Sequence, residues 1–221
     1  VYEIAPLEGG KAGGLARVAT VLKDLERENP NTFAILSGDF LSPSFIGSLK
    51  MENGDRIAGL QMVETLNAMG LDYATFGNHE FDNKDPLVLK KRMDASAFLY
   101  TTCNALEVKS GQKAPFQQLR DGKEQPVPEY VIREFSNGRG DVFRLGIIGV
   151  LLPFAKQDFV HYLPVFETFQ ATFNKLRPQV DAVVALTHLN VEDDEKLAAA
   201  APGVLLFMGG HDHNNMSRFV E

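Results

Sequence analysis

Short apolar runs alternate with amphipathic segments along most of this chain. Four runs have the length of buried strands, and they cover residues 33–36, 73–76, 182–186 and 204–208. Apolar side chains recur at helical spacing in other segments, which cover residues 15–25, 55–69, 84–95, 167–176 and 193–201. The first helix should end near Asn29, because Pro30 disfavours helical backbone at the residue before it. The alternation predicts parallel strand–helix units.

The middle of the chain has a different pattern. Residues 130–135 and 142–150 are strand-like runs on either side of a Ser-Asn-Gly-Arg-Gly segment, which is typical of an antiparallel hairpin. Residues 107–128 are polar and rich in Gly, Gln, Lys and Pro, and we interpret them as a surface loop. Parallel units plus a hairpin predict a mixed α/β fold with two sheets face to face and helices outside. We treat residues 1–221 as a single domain.

Composition and charge exclude some classes of protein. The net charge of −7 argues against a nucleic-acid surface, which would need clustered Lys and Arg. An anionic substrate stays possible, because bound divalent metals would reverse the local sign. No apolar run reaches the ~20 residues of a membrane-spanning helix. The single cysteine, Cys103, follows a strand-like run at residues 98–102, and we expect it to be a small buried side chain.

Each of the four strand-like runs ends in side chains that can bind metals or transfer protons. These side chains are Asp39, Asn78, His79, Asp82, His188, His211 and His213. Ligands of helix-covered sheets bind at the carboxyl ends of the strands. Junctions of this kind, spread from residue 39 to residue 213, predict a single site that the fold assembles.

The residue types indicate a pair of divalent metals. A carboxylate such as that of Asp39 can bridge two ions, imidazoles suit several first-row metals, and Asn78 offers a neutral oxygen. One ion would be held by Asp39, Asn78, His188 and His211, and its partner by Asp39 and His213. The His-x-His spacing fits an extended segment, where residues two apart point the same way. Zinc, manganese, iron, nickel, cobalt and magnesium all stay open.

His79 requires a separate interpretation, because it is adjacent to Asn78 and cannot easily face the same ion. Asp82 lies three residues later, so its carboxylate can orient the imidazole for proton transfer or charge stabilisation. Each motif alone also fits a structural role: a turn at Asp39, a capped loop at Asn78, a core histidine at His188. Gly-His-Asp-His could be a turn or a surface metal scavenger. His161 lies at no strand junction, and we expect a structural role for it.

The motifs occur in the order found in a known family. Gly-Asp at 38–39, Gly-Asn-His-Glu-Phe-Asp at 77–82, Thr-His at 187–188 and Gly-His-Asp-His at 210–213 resemble the calcineurin-like metallophosphoesterases. Gly-Gly-Leu-Ala-Arg at 13–17 is similar to the 5′-nucleotidase branch of that family. The resemblance covers essentially the whole chain as an N-terminal catalytic domain. It implies a four-layer α/β/β/α sandwich of two mixed sheets that carries two divalent metal ions.

The resemblance also implies roles for individual residues. Asp39 corresponds to the bridging ligand, and His79 with Asp82 to the catalytic dyad. The remaining metal ligands by this correspondence are Asn78, His188, His211 and His213. Asn78 and His79 would also contact the substrate. The implied reaction is hydrolysis of a nucleotide phosphate ester by metal-activated water. The alternatives are a 2′,3′-cyclic-nucleotide phosphodiesterase, a nucleotide-sugar hydrolase, or a degenerate non-catalytic metal-binding domain.

Two departures from the family pattern bear on these expectations. The opening Asp-x-His motif is missing, and Tyr2 falls near the position of its histidine, so we expect the metal on the His213 side to be weak or absent. The C-terminal domain that holds the nucleotide in such proteins has no counterpart in the 221 residues. Relatives of this type are commonly exported, which favours a periplasmic or extracellular parent protein.

Overall fold

The computed structural model of the chain describes residues 3–154 and 157–219. The α-helices are α1 (Leu15–Glu28), α2 (Phe45–Ser48), α3 (Leu60–Met69), α4 (Pro86–Ala95), α5 (Val165–Leu176) and α6 (Val191–Ala200). The strands are β1 (Ile35–Ser37), β2 (Tyr73–Thr75), β3 (Leu99–Tyr100), β4 (Ala105–Lys109), β5 (Gln112–Ala114), β6 (Gln117–Arg120), β7 (Lys123–Pro126), β8 (Tyr130–Ser136), β9 (Val142–Leu151), β10 (Val160–Tyr162), β11 (Ala182–His188) and β12 (Leu206–Met208). Single 3₁₀ turns cover Glu8–Gly10, Asn78–Phe81 and Arg177–Gln179.

The first of the two central sheets has the strand order β1-β2-β3, with parallel pairing throughout. Helices α1, α3 and α4 cover its outer face. Their buried side chains Leu22, Leu66 and Met93 share one apolar core with Ala74 of β2 and with Phe76. The helices expected from apolar periodicity in these segments therefore pack on the first sheet.

The second central sheet has the order β12-β11-β9-β8. Strand β11 pairs in parallel with β9 and β12, and β8 pairs antiparallel with β9, so this sheet is mixed. Helices α5 and α6 cover its outer face, where Phe169, Leu176 and Leu197 pack with Ile148 and Val183. The predicted hairpin of residues 130–135 and 142–150 is confirmed as β8 and β9.

The inner faces of the two sheets pack against each other. Ile147, Val184 and Leu186 of the second sheet form an apolar cluster, against which Ile35 and Tyr73 of the first sheet pack. The layers therefore follow the order helices, sheet, sheet, helices, and the predicted four-layer fold class is confirmed. Among the described strands of these two sheets, antiparallel pairing is confined to the second one.

The interpretation of residues 107–128 as a surface loop was wrong. They lie largely in two β-hairpins, β4–β5 and β6–β7. Two-residue turns close them at Ser110-Gly111 and Asp121-Gly122, where all four residues have positive φ of 51°, 78°, 51° and 73°. Such turns match the twist of paired strands, and Asp-Gly is a strong signal for them. Their polar composition suggested a loop, but it arises because the strands β5 and β7 are exposed and therefore carry polar side chains.

The expected helix at residues 55–69 was too long. Helix α3 begins at Leu60, because Ala58 and Gly59 have left-handed φ of 42° and 87°. Helices α5 and α6 each begin two residues earlier than expected, and β3 is shorter than the run at 98–102.

Two further side chains have the expected surroundings. Cys103 is 4% exposed, and burial raises the pKa of its thiol to about 12, which fits a small buried side chain. His161 lies in β10 with its Nε2 3.2 Å from Lys113 Nζ, in a half-buried position. No helix in the described part of the chain combines the length and apolar character needed to cross a membrane.

Gln118 fixes the β6–β7 hairpin to the body of the domain. Its side chain is 2% exposed, and its Nε2 lies 3.0, 3.4 and 2.9 Å from the carbonyl oxygens of Met93, Ser96 and Phe98. These carbonyls belong to the end of α4 and the approach to β3. Each hydrogen bond of this kind contributes about 0.5–1.5 kcal/mol, so the amide stabilises the junction.

We predict that Gln118→Ala lowers the free energy of unfolding by about 2–4 kcal/mol, because it removes several buried hydrogen bonds together with the buried side chain that makes them. The neighbouring Gln117 is only partly buried and donates to Pro115 nearby in sequence, so Gln117→Ala should cost about 0.5 kcal/mol or less. Urea unfolding measures both. Equal effects of the two substitutions would mean that the hairpin is not anchored through Gln118.

Candidate metal centre

The carboxyl ends of β1, β2, β11 and β12 meet at one edge of the sandwich. The Ser37 hydroxyl, at the end of β1, donates a 2.6 Å hydrogen bond to the carbonyl of Met208, at the end of β12. This bond joins the ends of strands from different sheets. The loops that follow the four strands therefore start close together, as the strand-end positions in the sequence indicate.

Four of the predicted ligand side chains converge at this edge. Asp39, His188 and His211 place a potential ligand atom each within 4.8 Å of one another. The oxygen Oδ1 of Asn78 lies 3.2 Å from His188 Nε2 and 3.1 Å from His211 Nδ1. Asp39 Oδ2 lies 3.2 Å from His188 Nε2. Asp39, Asn78 and His188 are no more than 4% exposed, so the group is largely screened from water.

The hydrogen-bond directions fit a bound cation. His188 Nδ1 lies 2.6 Å from the carbonyl of Ser37, which can only accept, so Nδ1 carries the proton. In the neutral ring, Nε2 then directs a lone pair at the oxygens of Asp39 and Asn78. These facing electron pairs repel one another unless a proton on Nε2 or a metal cation lies between them. A histidine whose second nitrogen donates to a backbone carbonyl is also the usual arrangement of a metal ligand.

The pKa shifts of the group also fit a bound cation. Burial acts to raise the pKa of Asp39, but the hydrogen bond and charge of His188, together with the His79 N–H, lower it to about 2. Burial acts to lower the pKa of His188, but Asp39 raises it above its ordinary value. Burial and the neighbouring His188 lower the pKa of His211, which favours the neutral ring that binds metals. The group therefore favours positive charge between its members.

Two glycines permit this close approach. A Cβ on Gly77 would lie 2.3 Å from Asp39 Oδ1 and 2.7 Å from His188 Cε1. A Cβ on Gly210 would lie 2.6 Å from the Ser37 carbonyl oxygen. Contacts this short do not occur, so a side chain at either position would push the candidate ligands apart.

His79 and Asp82 form the pair that their spacing predicts. His79 Nδ1 lies 2.7 Å from Asp82 Oδ2, and the Ser42 hydroxyl donates to the same oxygen at 2.9 Å. The His79 backbone N–H donates to Asp39 Oδ1 at 2.9 Å, so the pair is linked to the ligand group. A cavity of about 330 Å³ lies beside it, with His79, Asp82, Ser42, Arg56 and other residues on its wall.

His213 differs from the sequence-based expectation. It is exposed and lies outside the ligand group found among the described residues. The expected extended geometry of His-x-His was wrong, because His211 and His213 both have left-handed φ, of 81° and 55°. The two imidazoles therefore need not point the same way. Val1 and Tyr2, which bear on the missing Asp-x-His motif, lie outside the described residues.

Sequence reasoning missed three residues that support the group. The Ser37 carbonyl fixes the His188 tautomer, and the Ser42 hydroxyl holds Asp82. Glu80 accepts four backbone N–H bonds at the base of the site. Ser37 and Ser42 carry no sequence signal for these roles. Glu80 lies inside the Gly-Asn-His-Glu-Phe-Asp motif, which marked its position but not its contacts.

This fold gathers Asp, Asn and His side chains where its strands end, an arrangement that fits a metal-binding domain. The family model of the calcineurin-like phosphoesterases matches residues 11–215, and the chain belongs to that family. The family and enzyme class predicted from the sequence are thereby confirmed. Divalent metal ions are typical of the family, and the converging donor atoms fit them.

Two relatives of the chain are named for action on nucleotides. The chain is 28% identical over 222 residues to the trifunctional nucleotide phosphoesterase protein YfkN of Bacillus subtilis (strain 168), covering 90% of this chain and 15% of YfkN. It is 25% identical over 218 residues to the 5′-nucleotidase of Bos taurus, covering 91% of this chain and 33% of that protein. The chain thus spans a third or less of the length of these two relatives.

A solved structure has the same fold. The 5′-nucleotidase precursor from Thermus thermophilus superimposes with a TM-score of 0.71 at 22% identity, over 94% of this chain and 38% of that one. At this identity the likeness concerns the fold alone.

We predict that Gly77→Ala weakens metal binding at least tenfold, because the new methyl group would displace Asp39 and His188. Gly77 has φ of −106°, which alanine adopts freely, so backbone strain does not contribute. Calorimetric titration with Mn²⁺ measures the dissociation constant. Gly138→Ala is the control, since its Cβ would meet nothing within 4 Å. Unchanged Mn²⁺ affinity in Gly77→Ala would contradict the assignment of these ligands.

Proposed function

We propose that this chain hydrolyses phosphate monoesters of nucleotides at a two-metal centre, as a 5′-nucleotidase-like catalytic domain. The observation that carries the proposal is the convergence of Asp39, Asn78, His188 and His211 next to the His79–Asp82 pair. The family match gives the reaction class, and the names of the relatives give the nucleotide.

Asp39, Asn78, His188 and His211 would hold one ion, and Asp39 would share the second with His213. Bound divalent ions supply Lewis acidity for the phosphoryl oxygens and a water that is deprotonated near neutral pH. The Asp39 carboxylate, with its pKa lowered to about 2, stays charged across the physiological range. The Ser37 carbonyl keeps the His188 ring oriented and its Nε2 directed at the ligand group.

His79 protonates the leaving group. Its Nδ1 is held by Asp82, which leaves Nε2 as the ring atom that donates a proton to the departing ester oxygen. As the bond from phosphorus to that oxygen breaks, the oxygen of a water that has lost one proton to solvent bonds to phosphorus. The alcohol leaves with the proton of His79, which then regains a proton from solvent. The cavity of about 330 Å³ beside the pair offers space for part of the leaving group. Its wall includes the polar residues Ser42, Ser44 and Arg56.

A second candidate function is a metal-binding domain without catalysis. The exposed His213, outside the group formed by Asp39, His188 and His211, favours this alternative, because it leaves the second ion with fewer donors. Such a domain would bind one ion and hydrolyse nothing.

The two candidates predict different metal contents. The enzyme should purify with, or take up, two divalent ions per chain, and a chelator should abolish hydrolysis until Mn²⁺ or Zn²⁺ is restored. The non-catalytic domain should take up one ion at most and stay inactive. Elemental analysis, together with phosphate release from a panel of 5′-, 3′- and 2′,3′-cyclic nucleotides and a nucleotide sugar, measures both properties. Activity confined to cyclic nucleotides or nucleotide sugars would replace the 5′-nucleotidase assignment.

Substitutions at His79 and Asp39 should separate proton transfer from metal binding. His79→Ala should lower kcat about 10²–10⁴-fold and keep the metal, because it removes a general acid. Asp39→Ala should remove metal and activity together. Matched measurements of kcat and metal content on purified variants test this. His161→Ala, a histidine in β10 outside the ligand group, is the control and should retain both. Normal turnover by His79→Ala would refute the role given to that histidine.

A further inference from the structure

Glu80 is a buried acid that the mechanism above does not use. Its side chain is 3% exposed, and its Oε2 accepts hydrogen bonds from the N–H groups of Asp39 at 2.7 Å and Gly77 at 2.6 Å. Its Oε1 accepts from Phe40 at 2.8 Å and Leu41 at 3.1 Å. One carboxylate therefore accepts hydrogen bonds from four peptide groups. Three are the consecutive groups of residues 39–41, in the loop after β1, and the fourth is that of Gly77, in the loop after β2.

These loops carry three of the residues assigned to the site. Asp39 is itself one of the four donors, and Asn78 and His79 directly follow Gly77. Asp39 has a left-handed φ of 56°, a conformation that L-residues seldom adopt without support. In this conformation the three successive N–H groups of residues 39–41 turn toward Glu80.

The surroundings strengthen this contact. Phe40, Phe76 and Phe81 are each at most 1% exposed and lie next to the acceptor or its donors in sequence. Phe76 and Phe81 have ring centroids 5.4 Å apart, and Phe76 stacks on Tyr100 at 5.0 Å. In such an apolar setting, hydrogen bonds to a carboxylate are stronger than in water. Loss of the Glu80 carboxylate would leave several buried backbone N–H groups without an acceptor.

We infer that Glu80 is a positioning residue for the metal centre: it holds Asp39 in the orientation that binds metal and fixes the loop of Asn78 and His79 at the matching distance. It acts through peptide groups and does not contact the ions. The inference rests on the proposed function, because it presupposes that Asp39 and Asn78 are ligands.

The test uses Co²⁺ as the probe, because its visible absorption spectrum reports the geometry of its ligands. Glu80→Gln keeps the size of the side chain but turns an amide group, with its own N–H donors, toward the four peptide N–H groups. We expect its dissociation constant for Co²⁺ to rise 10–100-fold, the usual effect of removing a partner that orients ligands, and its absorption bands to shift. Glu80→Asp, which keeps the carboxylate but shortens its reach, should show a smaller change in the same direction.

Gln118→Ala is the control for lost stability, since it breaks buried hydrogen bonds of the β6–β7 hairpin. It should bind Co²⁺ with the wild-type affinity and spectrum at temperatures well below its Tm. If Glu80→Gln does not fold, the comparison of Glu80→Asp with Gln118→Ala decides. Wild-type affinity and spectrum in the Glu80 variant, with only its Tm lowered, would overturn the inference. Failure of the wild-type protein itself to bind Co²⁺ would instead overturn the proposed function and the inference with it.

Discussion

The hydrogen bond from His188 Nδ1 to the Ser37 carbonyl is the contact on which the site depends. It joins the last residue of β11 to the last residue of β1, and thus one central sheet to the other at the edge where their strands end. It also places the proton of Nδ1 on the Ser37 side, so that Nε2 is the ring atom directed at Asp39 and Asn78. One bond therefore performs a structural and an electronic role. The packing of the two sheets through Ile35, Ile147 and Leu186 holds its ends at the required distance.

The site has two sides with different chemistry. On one side, buried oxygens and ring nitrogens converge and favour positive charge, as the lowered pKa of Asp39 and the raised pKa of His188 indicate. On the other side, the half-buried His79 and Asp82 face a cavity. The His79 peptide N–H, bonded to Asp39 Oδ1, is the bridge between them. A phosphate ester whose phosphoryl group meets the first side and whose leaving oxygen meets the second would use both.

Apolar periodicity predicted the elements that form the layers, because each helix and central strand buries one side or both. It failed where an element is largely exposed, or where a contact with a distant part of the chain determines the backbone conformation. The hairpins of residues 105–126 are polar because their outer strands are exposed, although Asp121-Gly122 marked one of their turns. The start of α3 depends on left-handed backbone at Ala58, which no local pattern indicates. The residues that converge at the strand ends were readable from the sequence, since each follows a strand-like run. The position of His213 was not, because it depends on backbone angles beyond β12.

Glu80 illustrates a kind of information that a single sequence does not carry. Three of its four donors lie some forty residues earlier in the chain, so their partnership exists only after β1 and β2 have paired. Gly38 and Gly77 then approach so closely that a Cβ on Gly38 would lie 2.3 Å from the Gly77 nitrogen. The two loops are therefore held by direct contact and by a shared acceptor at once. If one loop moved away from the other, the direct contact and the hydrogen bonds to the shared acceptor would be lost together, because both depend on the same separation. Two independent contacts thus fix the distance between these loops. A metal centre built on loops needs such support, because loops alone do not hold ligands within the tolerance that coordination demands.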